Sequence, residues 1–401
     1  MSREVPVGWR SVHLSDIASA VIEKWEPGDG DVPFVGLEHV GQGTGTVLEI
    51  GSSVGLTSIK TRFKAGDVLF GKLRPNLRKT AHPDFSGVAS TDIIALRAAS
   101  NVDACFLFYS VSAEKCFQHA IASAAGTKMP RTSWPLLSMY PIWLPPLAEQ
   151  HRIAEILTSV DKTIQATEAV VKQARVLRDA WLKTFFHRGS WEEVKPLPHG
   201  WRMELLDQVA TRGSGHTPSK AHPEYWDGGV KWVSLQDTKR LDRFFITDTA
   251  AEISQLGIEN SSAVLHPEGT VILSRDATVG RSAILAEPMA VSQHFIAWQC
   301  GTELDNGYLY FWLQHMKPIF ERIGAGSTIK TIGLGFFKRL AIPVPPLGEQ
   351  RHLASRMSQI DGVVMQNVSV LSKLATLKAA VMSDLLRGRK RIATELLMAA
   401  E

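Results

Sequence analysis

The stretch PPLAEQHRIAEIL, Pro145–Leu157, returns two hundred residues later as PPLGEQRHLASRM, Pro345–Met357. In both copies two prolines close an extended segment and suit the first turn of a helix, where Glu149 or Glu349 meets the positive end of the peptide dipoles. An apolar stripe follows at spacings of three and four. The first copy carries Ile153, Leu157, Val160, Ile164, Val171, Ala174, Leu177, Trp181 and Phe185, and the second Leu353, Met357, Ile360, Val364, Leu371, Leu374, Leu377, Val381 and Leu385. Such a stripe predicts one long helix per copy with a coiled-coil seam. Thr167 and Asn367 interrupt both seams at the same point. They either fix register as buried polar residues or mark a turn that faces solvent. Arg188-Gly189 and Arg387-Gly388 suit the helix ends.

Working outward, VPVGWR at Val5–Arg10 answers LPHGWR at Leu197–Arg202, and AAGTKMPR from Ala124 answers GAGSTIKT from Gly324. A repeat on this scale decides the architecture before any single element does. Between the shared landmarks lie short β-branched and aromatic runs punctuated by Gly, Pro, Asn and Asp: VPFVGLEHV, GDVLFGKL, TDIIALRA and YPIWLP, then VKWVSLQDT, GTVILSRD, HFIAWQC and AIPVP. These predict strands. DACFLFYSVSAEKCFQHAIAS and GYLYFWLQHMKPIFERIGA predict helices. The fold expected is α+β, with two mixed α/β heads joined by two long helices in an antiparallel coiled coil with an internal pseudo-two-fold repeat. The expected segments are 1–144 and 190–344 for the heads, 145–189 for a central helical spacer, and 345–401 for a distal spacer and tail. At ~1.5 Å per residue each spacer runs for roughly 60 Å. Neither helix can bury its seam alone, whereas two from one chain can bury each other.

Composition narrows the function classes. The 401 residues exceed one ordinary domain, and a net charge of +4 permits a polyanionic partner without requiring one. Cys105, Cys116 and Cys300 are odd in number and form no CxxC pair, which argues against a disulfide framework and a cysteine zinc site. No signal core or membrane-spanning run is present in the sequence, so a cytoplasmic protein without membrane contact is expected. GDVLFGKL imitates half of a phosphate loop, but Leu73 stands where Ser or Thr is needed. HExxH is lacking, and His216 and His222 have no further ligand beside them. No catalytic residue and no metal site are expected, which favours a binding protein.

Two similar heads held apart by a spacer suit double-stranded DNA, whose local two-fold symmetry lets each head address half of a split site. GKLRPNLRK supplies Lys72, Arg74, Arg78 and Lys79 after a strand, and SRDATVGR supplies Arg275 and Arg281 after the corresponding one. Lys128, Arg131 and Lys330 flank the repeated glycine turns. Such side chains bind phosphates or read guanine edges. Glu38, His39, Gln236 and Asp237 fit either base contacts or turn-stabilising hydrogen bonds. The competing reading is a coiled-coil scaffold whose heads bind protein. A self-sufficient nuclease or methyltransferase is a third.

PPLAEQHRIAEILTSVDKTI, PPLGEQRHLASRMSQIDGVV, the terminal LLRG, VPFVGLEHVGQGTG and SGHTPSKAHPEYWDGGVKWVSLQDT together resemble the specificity subunit of Type I restriction-modification systems over essentially the whole chain. The resemblance implies two target-recognition domains that read a bipartite, gapped DNA sequence. It implies helices that set the gap and dock two modification subunits. Those subunits carry the S-adenosylmethionine-dependent adenine methylation, a motor-nuclease restriction subunit completes the complex, and this chain itself holds no cofactor.

Overall fold

The computed structural model describes residues 5–186, 197–324 and 331–391. It divides into two compact units, Met1–Thr167 with Val370–Glu401, and Glu168–Ser369. Each unit therefore takes part of both long helices, Leu147–Phe186 and Leu347–Leu385.

In the first unit, Ile93–Ala98 sits inside a four-stranded antiparallel sheet between Ala18–Ala20 and Val68–Gly71, with Thr80–Ala81 at the edge. A five-stranded sheet orders Lys24–Trp25, Lys60–Phe63, Gly87–Ala89, Pro33–Val35 and Gly51–Ser52. A third pairing joins Arg10–His13 to Pro141–Leu144, just before the double proline. Phe70, Leu96, Phe106, Leu107 and Phe117 fill the core, which Ile153 and Leu157 of the first long helix and Leu385 of the second complete.

The second unit repeats this plan. A five-stranded sheet orders Ala210–Ser214, Phe295–Cys300, Val271–Ser274, Ser282–Leu285 and Phe245–Ile246. A four-stranded sheet holds Ala251–Ile253, Trp226–Val233, Met289–Val291 and Leu265–His266, and Arg202–Leu205 pairs with Ala341–Val344 before the second double proline. Trp298, Tyr308, Phe311 and Phe320 fill its core, joined by Leu182 and Phe186 of the first long helix and Leu353 and Met357 of the second. The heads differ in their helices. The stretch 103–123 breaks at Ala113, whose backbone is extended, into Ala104–Val111 and Glu114–Ala122. Its counterpart Asn306–Gly324 continues through Pro318.

The repeated sequence landmarks bond to one another. The indole of Trp9 donates to Glu149 Oε2 at 2.9 Å, and that of Trp201 donates to Glu349 Oε2 at 3.1 Å. Gln150 Oε1 accepts from the Asp103 amide at 3.0 Å while its Nε2 donates to Pro145 O at 2.9 Å. Gln350 does the same with the Asp305 amide at 2.8 Å and Pro345 O at 2.8 Å, and also donates to Glu303 O at 2.9 Å. Both glutamines are buried. The GW and PPL-x-EQ motifs are thus two halves of one clamp, which ties the start of each long helix to the first strand of its head and to the capped helix beginning at Asp103 or Asp305. In the first unit Arg391 adds a second tie, donating to both Glu149 oxygens at 2.9 and 3.1 Å and to Val7 O at 2.8 Å.

Within each unit the helix segments run antiparallel. Asp161 pairs with Lys378 at 2.6 Å in the first, and Asp361 pairs with Arg178 at 2.7 Å in the second. Both pairs are four-fifths buried and are related by a shift of 200 residues. They correct the seam. Leu177 and Leu377, expected inside, are half exposed, and Trp181 is exposed beneath the Arg356 guanidinium. From Ala174 and Leu374 the inward face moves on by four residues to Arg178 and Lys378, because a helix advances 100° per residue and the fourth returns closest to the same line. A search for apolar residues steps past two cations that are inside because each has a carboxylate facing it. Ile153, Leu157, Val171, Leu353 and Met357 are buried, while Val160, Ile164, Ile360, Val364, Leu371 and Leu374 are half-buried. Thr167 and Asn367 are half-buried too, each donating to the carbonyl four residues back, Thr163 O at 2.8 Å and Val363 O at 2.8 Å. Arg188-Gly189 lies outside the described residues. Among the described residues no helix is long and apolar enough to cross a membrane.

Candidate nucleic-acid interface

The cationic loop of the first head leaves the buried strand Val68–Gly71 and re-enters the sheet at Thr80–Ala81. Four backbone contacts frame it. Gly71 N donates to Lys79 O at 2.8 Å, Lys72 N to Asp92 O at 2.9 Å and Thr132 N to Lys72 O at 3.0 Å, and Leu73 bridges Arg131. The second head repeats all four. Ser274 N donates to Arg281 O at 2.8 Å, Arg275 N to His294 O at 2.9 Å and Ile332 N to Arg275 O at 2.9 Å, and Asp276 bridges Thr331. The register therefore equates Lys72 with Arg275, Leu73 with Asp276, Lys79 with Arg281, Asp92 with His294 and Arg131 with Thr331. It also brings two sequence-distant sets together, since the glycine turn bearing Lys128 and Arg131 lies against the loop bearing Lys72 and Arg74.

Both loops hold unusual backbone. Arg74 and Ala277, one residue past the bridge in each head, have φ of 50° and 59°. At the other end Arg78 has φ of 49° and its counterpart Gly280 φ of 89°. Left-handed backbone at non-glycine residues is uncommon and gathers at functional loops.

The candidate cations divide by what they touch. Lys79 Nζ donates to Leu37 O at 2.7 Å, and its counterpart Arg281 donates to Thr238 O at 3.2 Å and pairs with Asp242 at 3.4 Å. Both fasten the loop to a neighbouring 3₁₀ turn, at Leu37–His39 or Leu235–Arg240. Arg78 makes a two-point pair with Glu114 at 2.8 Å on each arm, which holds the Glu114 carboxyl below the usual carboxylate range. Arg131 pairs with Asp92 at 3.2 Å. Among the described residues Lys72, Arg74 and Lys128 have no carboxylate partner, and Arg74 and Lys128 are exposed. In the second head Arg275 is largely buried, 3.7 Å from Asp276. Lys330 lies outside the described residues.

His39 and Asp237, open between two roles in the sequence, close their own turns. Gly36 N donates to His39 Nδ1 at 3.1 Å, and Ser234 N donates to Asp237 Oδ2 at 2.9 Å. Fully buried Asp237 also accepts from Ala250 N and Arg240. Glu38 and Gln236 remain exposed beside them.

Sequence reasoning passed over Asp276, His294 and Thr331. Asp276 accepts from His294 Nδ1 at 3.0 Å through Oδ2 and from the Thr331 hydroxyl through Oδ1. Asp276 stood inside the quoted SRDATVGR, but a search for cations does not stop at a carboxylate.

Two copies of one head, each offering a framed, strained surface loop, define a two-headed recognition protein. The model of the Type I restriction modification DNA specificity domain matches residues 6–174 and again 198–368, and the chain belongs to that family. It is 22% identical to the Type I restriction enzyme MjaVIII specificity subunit of Methanocaldococcus jannaschii over 97% of this chain and 94% of that one. It is 27% identical to the EcoDI specificity subunit of Escherichia coli over 52% of this chain and 47% of that one. The fold is shared with the Type-I restriction-modification S subunit of M. genitalium, at TM-score 0.63 and 14% identity, covering 96% and 98% of the two chains. A chain of a type I R-M system solved for its complex assembly matches at TM-score 0.58 and 21% identity, covering 96% and 99%.

Proposed function

We propose that this DNA specificity protein reads a bipartite, gapped site in double-stranded DNA, one half with residues 1–144 and the other with 190–344. The helical segments 145–189 and 345–401 set the gap and dock two modification subunits. Methylation with S-adenosylmethionine and cleavage by motor-nuclease subunits belong to those partners, in the cytoplasm. This chain supplies recognition alone, without a cofactor. The observation that carries the reading is the doubled loop: the same backbone frame occurs once per head, with different side chains on it, as reading two unlike half-sites requires. Cation contacts to phosphate make the binding sequence-independent in part and salt-sensitive, and edge contacts supply the sequence.

The test is methylome sequencing of cells that carry this chain with its modification subunit, repeated after residues 201–344 are exchanged for those of another family member. The expected result is a split motif in which the exchange replaces one half and leaves the other intact. A change in both halves would end independent reading, and DNA binding that is absent or insensitive to salt in the assembled complex would favour the protein scaffold.

A further inference from the structure

Resting on that reading, we infer that the register-equivalent loops Lys72–Lys79 and Arg275–Arg281 are the base-reading elements, and that Asp276 is the specificity-determining acceptor of the second head. It would select an adenine or cytosine at one strand position of its half-site.

The two copies share the inward positions of this frame and part at the outward ones. Positions that point back into the fold keep their role. Lys79 and Arg281 both donate to a carbonyl of the neighbouring 3₁₀ turn, and Ser90 N and Ser292 N donate to Val35 O and Val233 O at 2.9 and 2.8 Å. At the bridge between loop and glycine turn the chemistry changes sign. The first head places Leu73 there, flanked by exposed Arg74 and by Arg131, whose charge is met by Asp92. The second head places Asp276 there, with His294 and Thr331 in the positions of Asp92 and Arg131.

Asp276 is also prepared for contact. Each of its oxygens accepts one hydrogen bond, from Thr331 or from His294, which locks the carboxylate plane and leaves each oxygen a spare acceptor site. The side chain is 19% exposed, so it is held firmly yet reachable. A carboxylate accepts from the exocyclic amino group of cytosine N4 or adenine N6 and is repelled by the carbonyl edges of guanine O6 and thymine O4. Next to it Ala277 keeps a left-handed backbone that an alanine adopts only when its surroundings impose it. Because Ala277 has no side chain beyond Cβ, it adds no cover of its own to the acceptor, where Arg74 of the first head offers the fork that suits guanine O6 and N7.

The experiment uses the full chain assembled with its modification subunit. Methylation rates are measured on duplexes carrying every base at each position of the second half-site, for the wild type, Asp276→Ala and Asp276→Asn, with Arg74→Ala scored on the first half-site. Thermal unfolding of each complex confirms assembly. Asp276→Ala is expected to erase a preference of roughly tenfold to a hundredfold at a single position of the second half and to leave the first half unchanged. Arg74→Ala is expected to do the reverse, at a guanine. If the wild-type complex methylates a split motif and both alanine variants keep every preference, the loop assignment is wrong while the recognition reading stands. A wild-type complex without any split motif overturns both. A variant that fails to assemble is replaced by Thr331→Val, which frees the carboxylate from one of its two hydrogen-bond partners and is expected to weaken the same single preference. No change there counts against Asp276.

Discussion

The two heads share a backbone frame and differ in the sign of the charge it displays. At the bridge the first head sets Leu73 beside Arg74 and the Arg131–Asp92 pair, while the second sets Asp276 between His294 and Thr331. Behind the bridge the heads agree closely, in the cation tied to the 3₁₀ turn, the residue that closes that turn, and the glutamine clamped under the double proline. Duplicated domains diverge most easily where a side chain serves the surface and least where it satisfies a buried backbone group. A lost buried hydrogen bond costs stability whatever the protein binds. A position alike in both heads therefore holds the fold, and a framed position that differs is a candidate for recognition.

The clamp gives the largest expected effect on stability. Gln350→Leu leaves the Asp305 amide and the carbonyls of Pro345 and Glu303 without their partner, and is expected to cost about 3 kcal/mol in urea unfolding of the full chain. Gln150→Leu strips only the Asp103 amide and Pro145 O and is expected to cost about 2 kcal/mol. A smaller loss from Gln350→Leu than from Gln150→Leu would break the equivalence of the two clamps.

Much of this arrangement is legible in the chain because the repeat displays it twice. PPL-x-EQ and GW mark the helix starts and first strands, and the 200-residue shift superimposes the two seams. The partnership of Trp9 with Glu149 was not legible, because 140 residues separate them and nothing local to either names the other. Arg178 and Lys378 are not legible as inward residues because periodicity counts apolar residues, whereas their burial depends on carboxylates in the other long helix. Asp276, His294 and Thr331 come from three separate segments that only strand register assembles. Lys79 and Arg281 illustrate the converse: a cation in a turn looks the same in sequence whether it faces phosphate or a carbonyl of its own fold.

The helix pairs offer a finer comparison. Asp161 accepts from Lys378 and also from the Tyr109 hydroxyl at 2.9 Å, so its charge is met from two sides. In Asp361 burial raises the carboxyl above its ordinary value, against the opposing pull of the Arg178 guanidinium. Partly buried pairs return little net stability when desolvation offsets attraction. Removing one carboxylate still strands the cation that faces it, so Asp161→Asn, which also weakens the Tyr109 contact, is expected to destabilise by about 2 kcal/mol, and Asp361→Asn, whose carboxylate already carries a desolvation cost, by about 1 kcal/mol, in the same unfolding assay. Equal losses would mean that the hydroxyl adds nothing to the first pair. The sign of the shift adds a check. With its folded value raised, Asp361 binds a proton more readily in the folded state, so its contribution to stability declines as pH rises from the ordinary carboxylate range through that raised value.

The smallest effect belongs to a pair with no twin. Arg78 and Glu114 close the loop of the first head from outside, while the register counterpart of Arg78 is Gly280, which has no side chain to pair. The Arg78 guanidinium holds the Glu114 carboxyl below the usual carboxylate range, so the carboxylate stabilises the folded state at neutral pH. That contribution is fully present above the unfolded value and is lost as pH falls through the depressed folded one. Because both side chains are about half exposed, solvent screens the pair and its worth stays below about 1 kcal/mol. Urea unfolding of the wild type and Glu114→Gln should differ by that amount at pH 7 and converge as the pH drops below the folded value. A difference that persists into acid would show that Glu114 acts through packing rather than charge. The loop of the first head would then need no ionic brace, just as the loop of the second, closed at Gly280, has none there.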